Sequence, residues 1–183
     1  MKKIAAFSLL LAILLLGLPV YAQEAKAGPP GPPDRATIMA VSKQIMEKAR
    51  FDAILITNGE DGQPQARVLN GFPPEGDMTV WFGTHSDSRK AKQIAKDPRV
   101  TLVYSSPDLE GYVTLLGKAT LVTDPKEKEK WWKKEWSVFY RNEYKGDDYV
   151  LIKFEPKRLE MVCYSRGMIN DPKTGLPLFV DLR

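Results

Sequence analysis

Between Phe51 and Tyr164 the chain is a succession of short β-branched segments joined by links rich in glycine, proline and aspartate. This pattern excludes a helical bundle before any other property is weighed. Residues 53–57, Ala-Ile-Leu-Ile-Thr, are predicted as a strand, and residues 58–62 as a turn-rich link to its hairpin partner at 65–70. Residues 78–82 give a third strand, 99–105 a fourth and 111–123 a long fifth, in whose middle Gly117 marks a bulge or bend. Residues 149–154 and 159–164 supply one or two more, separated by Pro156. Six or seven strands with short links predict a mainly β fold, an antiparallel barrel with flanking helices.

Three helices accompany the strands. Ile38, Val41, Ile45 and Met46 recur at helical spacing in a segment that ends near Arg50. A second helix, capped by Ser86, Asp87 or Ser88, runs to about Lys96 and is stopped by Asp97-Pro98. Asp124-Pro125-Lys126-Glu127 combines an N-cap, a proline at the first helical position and an acid three residues on, predicting a third helix through Trp136. Its lysines read as a solvated face. Trp132 and Trp136 fall on one side of it, where packing on the barrel accounts for them, with covering a cofactor from the partner subunit as the alternative for Trp131, Trp132 and Trp136.

The first 22 residues stand apart. Lys2 and Lys3 lead into an apolar run from position 4 to 18, and Val20 and Ala22 place small residues at −3 and −1 of a cleavage site. About 15 apolar residues make a signal-peptide core, short of the roughly 20 needed to span a bilayer. The expectation is export to a periplasmic or secreted location, with no membrane attachment after removal. Taking 22 residues from 183 leaves 161, and the net charge falls from +4 to +2 as the two lysines leave. Residues 23–33, with four prolines, read as a linker, residues 34–164 as the folded domain, and 165–183 as an irregular C-terminal extension. In that extension Leu176, Leu178 and Phe179 are candidates to dock on a partner.

Composition removes several chemistries. Basic and acidic residues are interspersed, so no nucleic-acid partner is expected. Cys163 is the only cysteine and His85 the only histidine, which excludes an intramolecular disulfide, a four-cysteine zinc site and His-rich metal sites; no metal is expected. Cys163 reads as a buried packing residue.

The chemically informative stretch is residues 79–90, where a strand ends, a hydroxyl-rich loop follows and a helix begins with Arg89 and Lys90 in its first turn. Free N–H groups, hydroxyls and cations are what a phosphate dianion needs. Cations at a helix N-terminus oppose the helix dipole at a cost of a few tenths of a kcal/mol each, which a bound anion would offset. Arg67, on the neighbouring strand, can add a guanidinium fork. The same residues also serve as an ordinary cap with solvated cations, and Asp87 repels an anion unless it turns away.

The ordered set Arg67-Val68-Leu69, Val80-Trp81-Phe82-Gly83-Thr84, Ser88-Arg89-Lys90-Ala91, Asp97-Pro98-Arg99-Val100-Thr101-Leu102 and Leu116-Gly117-Lys118-Ala119 resembles the pyridoxamine 5'-phosphate oxidase-like family, in its smaller general stress protein branch. The resemblance covers residues 51–164. It implies a six-stranded antiparallel split β-barrel that forms a homodimer and holds FMN at the subunit interface. Arg67, Ser88, Arg89 and Lys90 would then hold the FMN phosphate, while Val68, Leu69 and Thr84 would line the flavin ring. The cofactor would carry hydride or electron transfer to an unidentified small-molecule substrate.

The chain also departs from that pattern. Phe72 stands where the oxidases carry a lysine five residues beyond the first arginine, and Tyr112 where their fifth strand offers a glutamine to the flavin. Their long C-terminal half has no match. Oxidation of pyridoxamine phosphate is therefore not expected, and a non-catalytic flavin carrier or sensor, or a deazaflavin-dependent reductase, are the alternatives. Tyr112 is a candidate to stack on or hydrogen-bond to the ring, and His85 to face the flavin edge. A related branch binds haem, but a lone histidine argues against that ligand. Lys2-Lys3 without a twin-arginine pair implies translocation of an unfolded chain, so the cofactor would be acquired outside the cytoplasm.

Overall fold

The computed structural model describes residues 32–182. The expected signal peptide and the expected linker up to residue 31 lie outside them. Helix α1 (Arg35–Lys48) starts at Asp34, whose carboxylate accepts from the Thr37 N–H at 2.7 Å, and it buries Ile38, Val41, Ile45 and Met46. Beyond it Arg50 and Phe51 adopt left-handed φ values of 55° and 59°, turning the chain into the first strand.

Seven strands form one antiparallel sheet: β1 (Asp52–Asn58), β2 (Pro64–Asn70), β3 (Val80–His85), β4 (Arg99–Ser106), β5 (Gly111–Val122), β6 (Tyr149–Cys163) and β7 (Leu178–Asp181). Their order is β2-β1-β4-β5-β6-β3, with β7 added beside β6, and the sheet curls into a split β-barrel. The β1–β2 hairpin pairs Ile54 with Val68 and Leu55 with Arg67, as its turn signal predicted. Helix α2 (Arg89–Lys96) follows β3, and α3 (Pro125–Lys130) follows β5. Leu55, Leu102, Leu115, Ile152, Phe154 and Met161 are among the fully buried side chains of the main core. None of the helices among the described residues is long and apolar enough to cross a membrane.

Four expectations are corrected. The segments on either side of Pro156 are one strand, not two. Pro156 lies opposite Gly117, where the register shifts, and on its other edge it falls between the end of β3 pairing at Phe154 and the start of β7 pairing at Arg158. Its missing N–H therefore costs no ladder bond on that edge. A Cβ on Gly117 would approach the Glu155 carbonyl oxygen to 2.3 Å, so the bulge needs glycine.

The third strand begins at Val80 and continues through His85, beyond the expected limit at Phe82. Helix α3 stops at Lys130, short of Trp136, because Trp131 leaves helical geometry and stacks on Trp81 with ring centroids 5.3 Å apart. The Tyr149 hydroxyl donates to the Trp131 carbonyl oxygen at 2.7 Å and fixes that exit. Residues Lys134–Val138 form a separate 3-10 turn, so Trp132 and Trp136 meet through tertiary packing and not along one helix. Finally, the extension is not wholly irregular. Residues 178–181 join the sheet as β7, and Val180 is buried in the main core, while Leu176 and Phe179 are exposed.

Strand β3 separates two cores. Val80 and Phe82 enter the main one, and Trp81 enters an aromatic one with Tyr140, Tyr149 and Leu151. Gly83 lies under Trp136 and Tyr149, where a Cβ would come within 2.4 Å of the Trp136 ring.

Candidate functional site

The site is built where β2, the end of β3 and the start of α2 converge. Arg67 projects from β2 and donates through Nη1 to the Thr57 hydroxyl at 2.6 Å and through Nη2 to Oε1 of Gln93 at 3.1 Å. The Thr57 hydroxyl donates a hydrogen bond to the same Gln93 oxygen, and Gln93 Nε2 donates to Gln65 Oε1 at 2.9 Å. The guanidinium is thus held by neutral acceptors, and its charge is not neutralised by a carboxylate.

Two further cations stand beside it. Burial, and then the nearby Arg89, push the Arg67 guanidinium below its ordinary value. Burial, and then Arg67, lower the Lys90 ammonium in the same way. Neither Arg67, Arg89 nor Lys90 forms an ion pair with a carboxylate among the described residues. Gathering like charges at partial burial is unfavourable without a counter-anion, so this donor set fits a phosphate dianion and its binding would relieve the repulsion.

Ser88 is the N-cap of α2, accepting from the Ala91 N–H at 3.3 Å, and its Oγ lies 3.2 Å from the buried Thr84 hydroxyl. The cap uses a lone pair of Ser88, which leaves its hydroxyl proton available to Thr84 or to a bound anion. Asp87 does turn away: it is exposed and lies 3.9 Å from Lys92. His85, at the exposed end of β3, stacks on Tyr140 with centroids 6.4 Å apart, and its Nδ1 accepts from the Asp87 N–H at 3.2 Å.

The expected ring-lining residues divide. Val68 is 67 % exposed on the outer face of β2 beside Ile54, whereas half-buried Leu69 lies on the opposite face with Arg67 and packs against the main core. Tyr112 is half-buried on β5, which is separated from β2 by β1 and β4. Three inter-strand steps at about 4.8 Å each keep it away from the cations of its own chain.

Sequence reasoning missed Thr57, Gln65 and Gln93, the neutral groups that orient Arg67, and also Lys133. The Lys133 ammonium reaches the end of β2, donating to the Asn70 side-chain oxygen and, at 3.0 Å, to the Gly71 carbonyl oxygen, with its charge 4.6 Å from the Phe72 ring centroid. A cation therefore lies beside the position where Phe72 replaces a lysine, supplied from a segment some sixty residues away. Local sequence carries no signal for that.

Comparison with known proteins agrees with this architecture. A family model described as pyridoxamine 5'-phosphate oxidase like matches residues 40–163. A pyridoxine/pyridoxamine 5'-phosphate oxidase of Leptospira interrogans is 33% identical over 92 residues, which are 49% of this chain and 41% of the relative. One from Shewanella frigidimarina is 42% identical over 65 residues, 34% of this chain and 29% of the relative. The chain thus spans less than half the length of these curated relatives.

Among solved structures, a Clostridium acetobutylicum protein related to general stress protein 26 superposes with a TM-score of 0.63 at 19% identity, covering 73% of this chain and 92% of that one. A pyridoxamine 5'-phosphate oxidase-related, FMN-binding protein of Nostoc punctiforme gives 0.59 at 16%, covering 81% and 96%. These two likenesses concern the fold. The family match runs from within α1 to the last residue of β6, and on that ground the chain belongs to the pyridoxamine 5'-phosphate oxidase-like family.

Proposed function

We propose that the chain is an exported FMN-binding flavoprotein that works as a homodimer and supports a redox reaction on a small molecule. The observation that carries this reading is the convergence of Arg67, Arg89 and Lys90 without an internal carboxylate. Each charge-assisted hydrogen bond to a phosphate contributes about 1.5–3 kcal/mol, enough for two or three to dominate affinity. Ser88 and the free N–H groups of the first turn of α2 complete the donor set.

When bound, FMN would supply the hydride or electron transfer. The chain's part is to fix the phosphate through Arg67, Arg89 and Lys90 and to place the β2 segment at Val68 and Leu69, with Val68 on the exposed face, alongside the ring. Ile54, Val68 and Leu116 are exposed large apolar residues, and on the same face Val103 pairs with Ile54 and Thr101 with Leu116. A second copy covering this face would shield the ring from water and bring in its own Tyr112 edge. The leader supports export, with the cofactor acquired after translocation.

The test is an absorbance spectrum of the protein after FMN is supplied in excess and the free flavin removed. Retained flavin bands that NADH or NADPH bleaches are expected. Absence of bands would refute the cofactor, and bands that no reductant bleaches would leave a carrier and not an oxidoreductase.

A further inference from the structure

Strands β2 and β3 stand at the two ends of the main strand order, and no ladder joins them among the described residues, so the barrel is split between them. Side chains alternate along each lip of the split. Leu69 on β2 and Phe82 on β3 turn toward the main core, which leaves Val68 and Asn70 on one lip, and Gly83 and His85 on the other, facing outward.

One segment crosses the split on that outer face. Its Lys133 ammonium hooks β2 through the Asn70 side-chain oxygen and, at 3.0 Å, the Gly71 carbonyl oxygen. Its Trp136 indole rests on β3 at Gly83, where a Cβ would come within 2.4 Å of the ring. The ammonium lies 5.1 Å from the Trp136 ring centroid, so hook and indole move as one unit. A larger residue at position 83 would fill the same space locally; the chain omits the Cβ and brings a tryptophan from some fifty residues away.

The neighbouring tryptophans have packing roles that account for them. Trp131 stacks on Trp81, and Trp132 is enclosed by Tyr140, Tyr144 and Tyr149. Trp136 backs onto Trp132 and Tyr149 and meets Phe72, at the end of β2, with centroids 5.7 Å apart, yet it stays half-buried at the split. Asn70 lies two residues beyond the exposed Val68, about 6.6 Å along the strand. A fused three-ring system alongside Val68 is longer than that step, and aromatic rings pair by face or edge at such a boundary. We infer that Trp136 forms a wall of the flavin site within its own chain, touching the isoalloxazine ring, and that Lys133 is the positioning residue that holds it across the split. This rests on the flavin site proposed above and deepens it.

The experiment titrates the full chain with FMN and with riboflavin and follows flavin fluorescence, which a contacting indole quenches. Trp136→Phe keeps an aromatic ring on Gly83 and should leave bound FMN at least threefold brighter than in the wild type. Trp136→Ala should weaken FMN and riboflavin by the same factor, at least fivefold, because only the ring is touched. Lys133→Met should brighten the bound flavin, and Trp132→Phe should not. Bound FMN as dark in Trp136→Phe as in the wild type, or a loss confined to FMN in Trp136→Ala, would overturn the contact and leave the phosphate site standing. Unchanged brightness in Lys133→Met would overturn the positioning role. Failure of both flavins to bind the wild type would overturn the flavin site itself.

Discussion

Arg67 on β2 and Gln93 on α2 are joined by a 3.1 Å hydrogen bond that ties the strand bearing the open apolar surface to the helix bearing Arg89 and Lys90. Gln93 Oε1 accepts from Thr57 as well, so one amide oxygen orients Arg67 and Thr57 together. Gln93→Leu would leave Nη2 of the half-buried Arg67 and the buried Thr57 hydroxyl without their shared acceptor, while Arg67 Nη1 keeps Thr57. The expected loss is about 1–3 kcal/mol, read as a lower urea midpoint. An unchanged midpoint would show that water replaces the amide at no cost.

The depressed Lys90 ammonium sets a pH dependence. In the free protein burial and Arg67 lower its pKa, and a bound phosphate raises it again, so binding takes up a proton between the two values. Affinity for FMN should therefore fall as pH rises through the alkaline range. It should also fall below about pH 6, where the phosphate itself loses a charge. Riboflavin, without phosphate, should show neither limb. Isothermal titration in buffers of different ionisation enthalpy measures the proton uptake, and its absence on the alkaline side would remove Lys90 from the site.

The apolar outer face makes a prediction about assembly. Val68 is 67 % exposed and Ile54, its partner across the β1–β2 ladder, 39 %, at the β2 end of a face that a second copy would bury. Light scattering should give twice the chain mass for the wild type, and Val68→Lys should shift it toward the monomer at micromolar concentration while leaving the far-UV spectrum intact. A wild-type monomer would contradict the homodimer.

Gly83 tests the aromatic core. The Cβ of Gly83→Ala would fall 2.4 Å from Trp136 and 2.7 Å from Tyr149, and overpacking of this kind costs about 1–3 kcal/mol. A lower Tm and an altered near-UV tryptophan signal are expected. A variant as stable as the wild type would mean the Trp136 turn moves freely off β3.

Much of this was legible in the chain. The β-branched runs located the strands of the hairpin and of β4 and β5, Gly117 marked the bulge, and Ser88 was among the predicted caps. What was not legible depends on partners distant in sequence. Pro156 reads locally as a break, and only the gap between β3 and β7 lets the strand pass through it. The helix signal at Asp124 is genuine, yet stacking of Trp131 on Trp81 ends the helix early. Gln93 and Thr57 look like ordinary polar residues until folding brings them to Arg67, and Lys133 reaches β2 from another segment altogether.

Arg67, Arg89 and Lys90 are the proposed phosphate site. The most direct measurement compares dissociation constants for FMN and riboflavin in the wild type, Arg67→Met and Lys90→Ala. Losing one charge-assisted bond of about 1.5–3 kcal/mol should weaken FMN about 10- to 100-fold and riboflavin less than threefold. Equal weakening of both flavins, or none in either, would contradict the account.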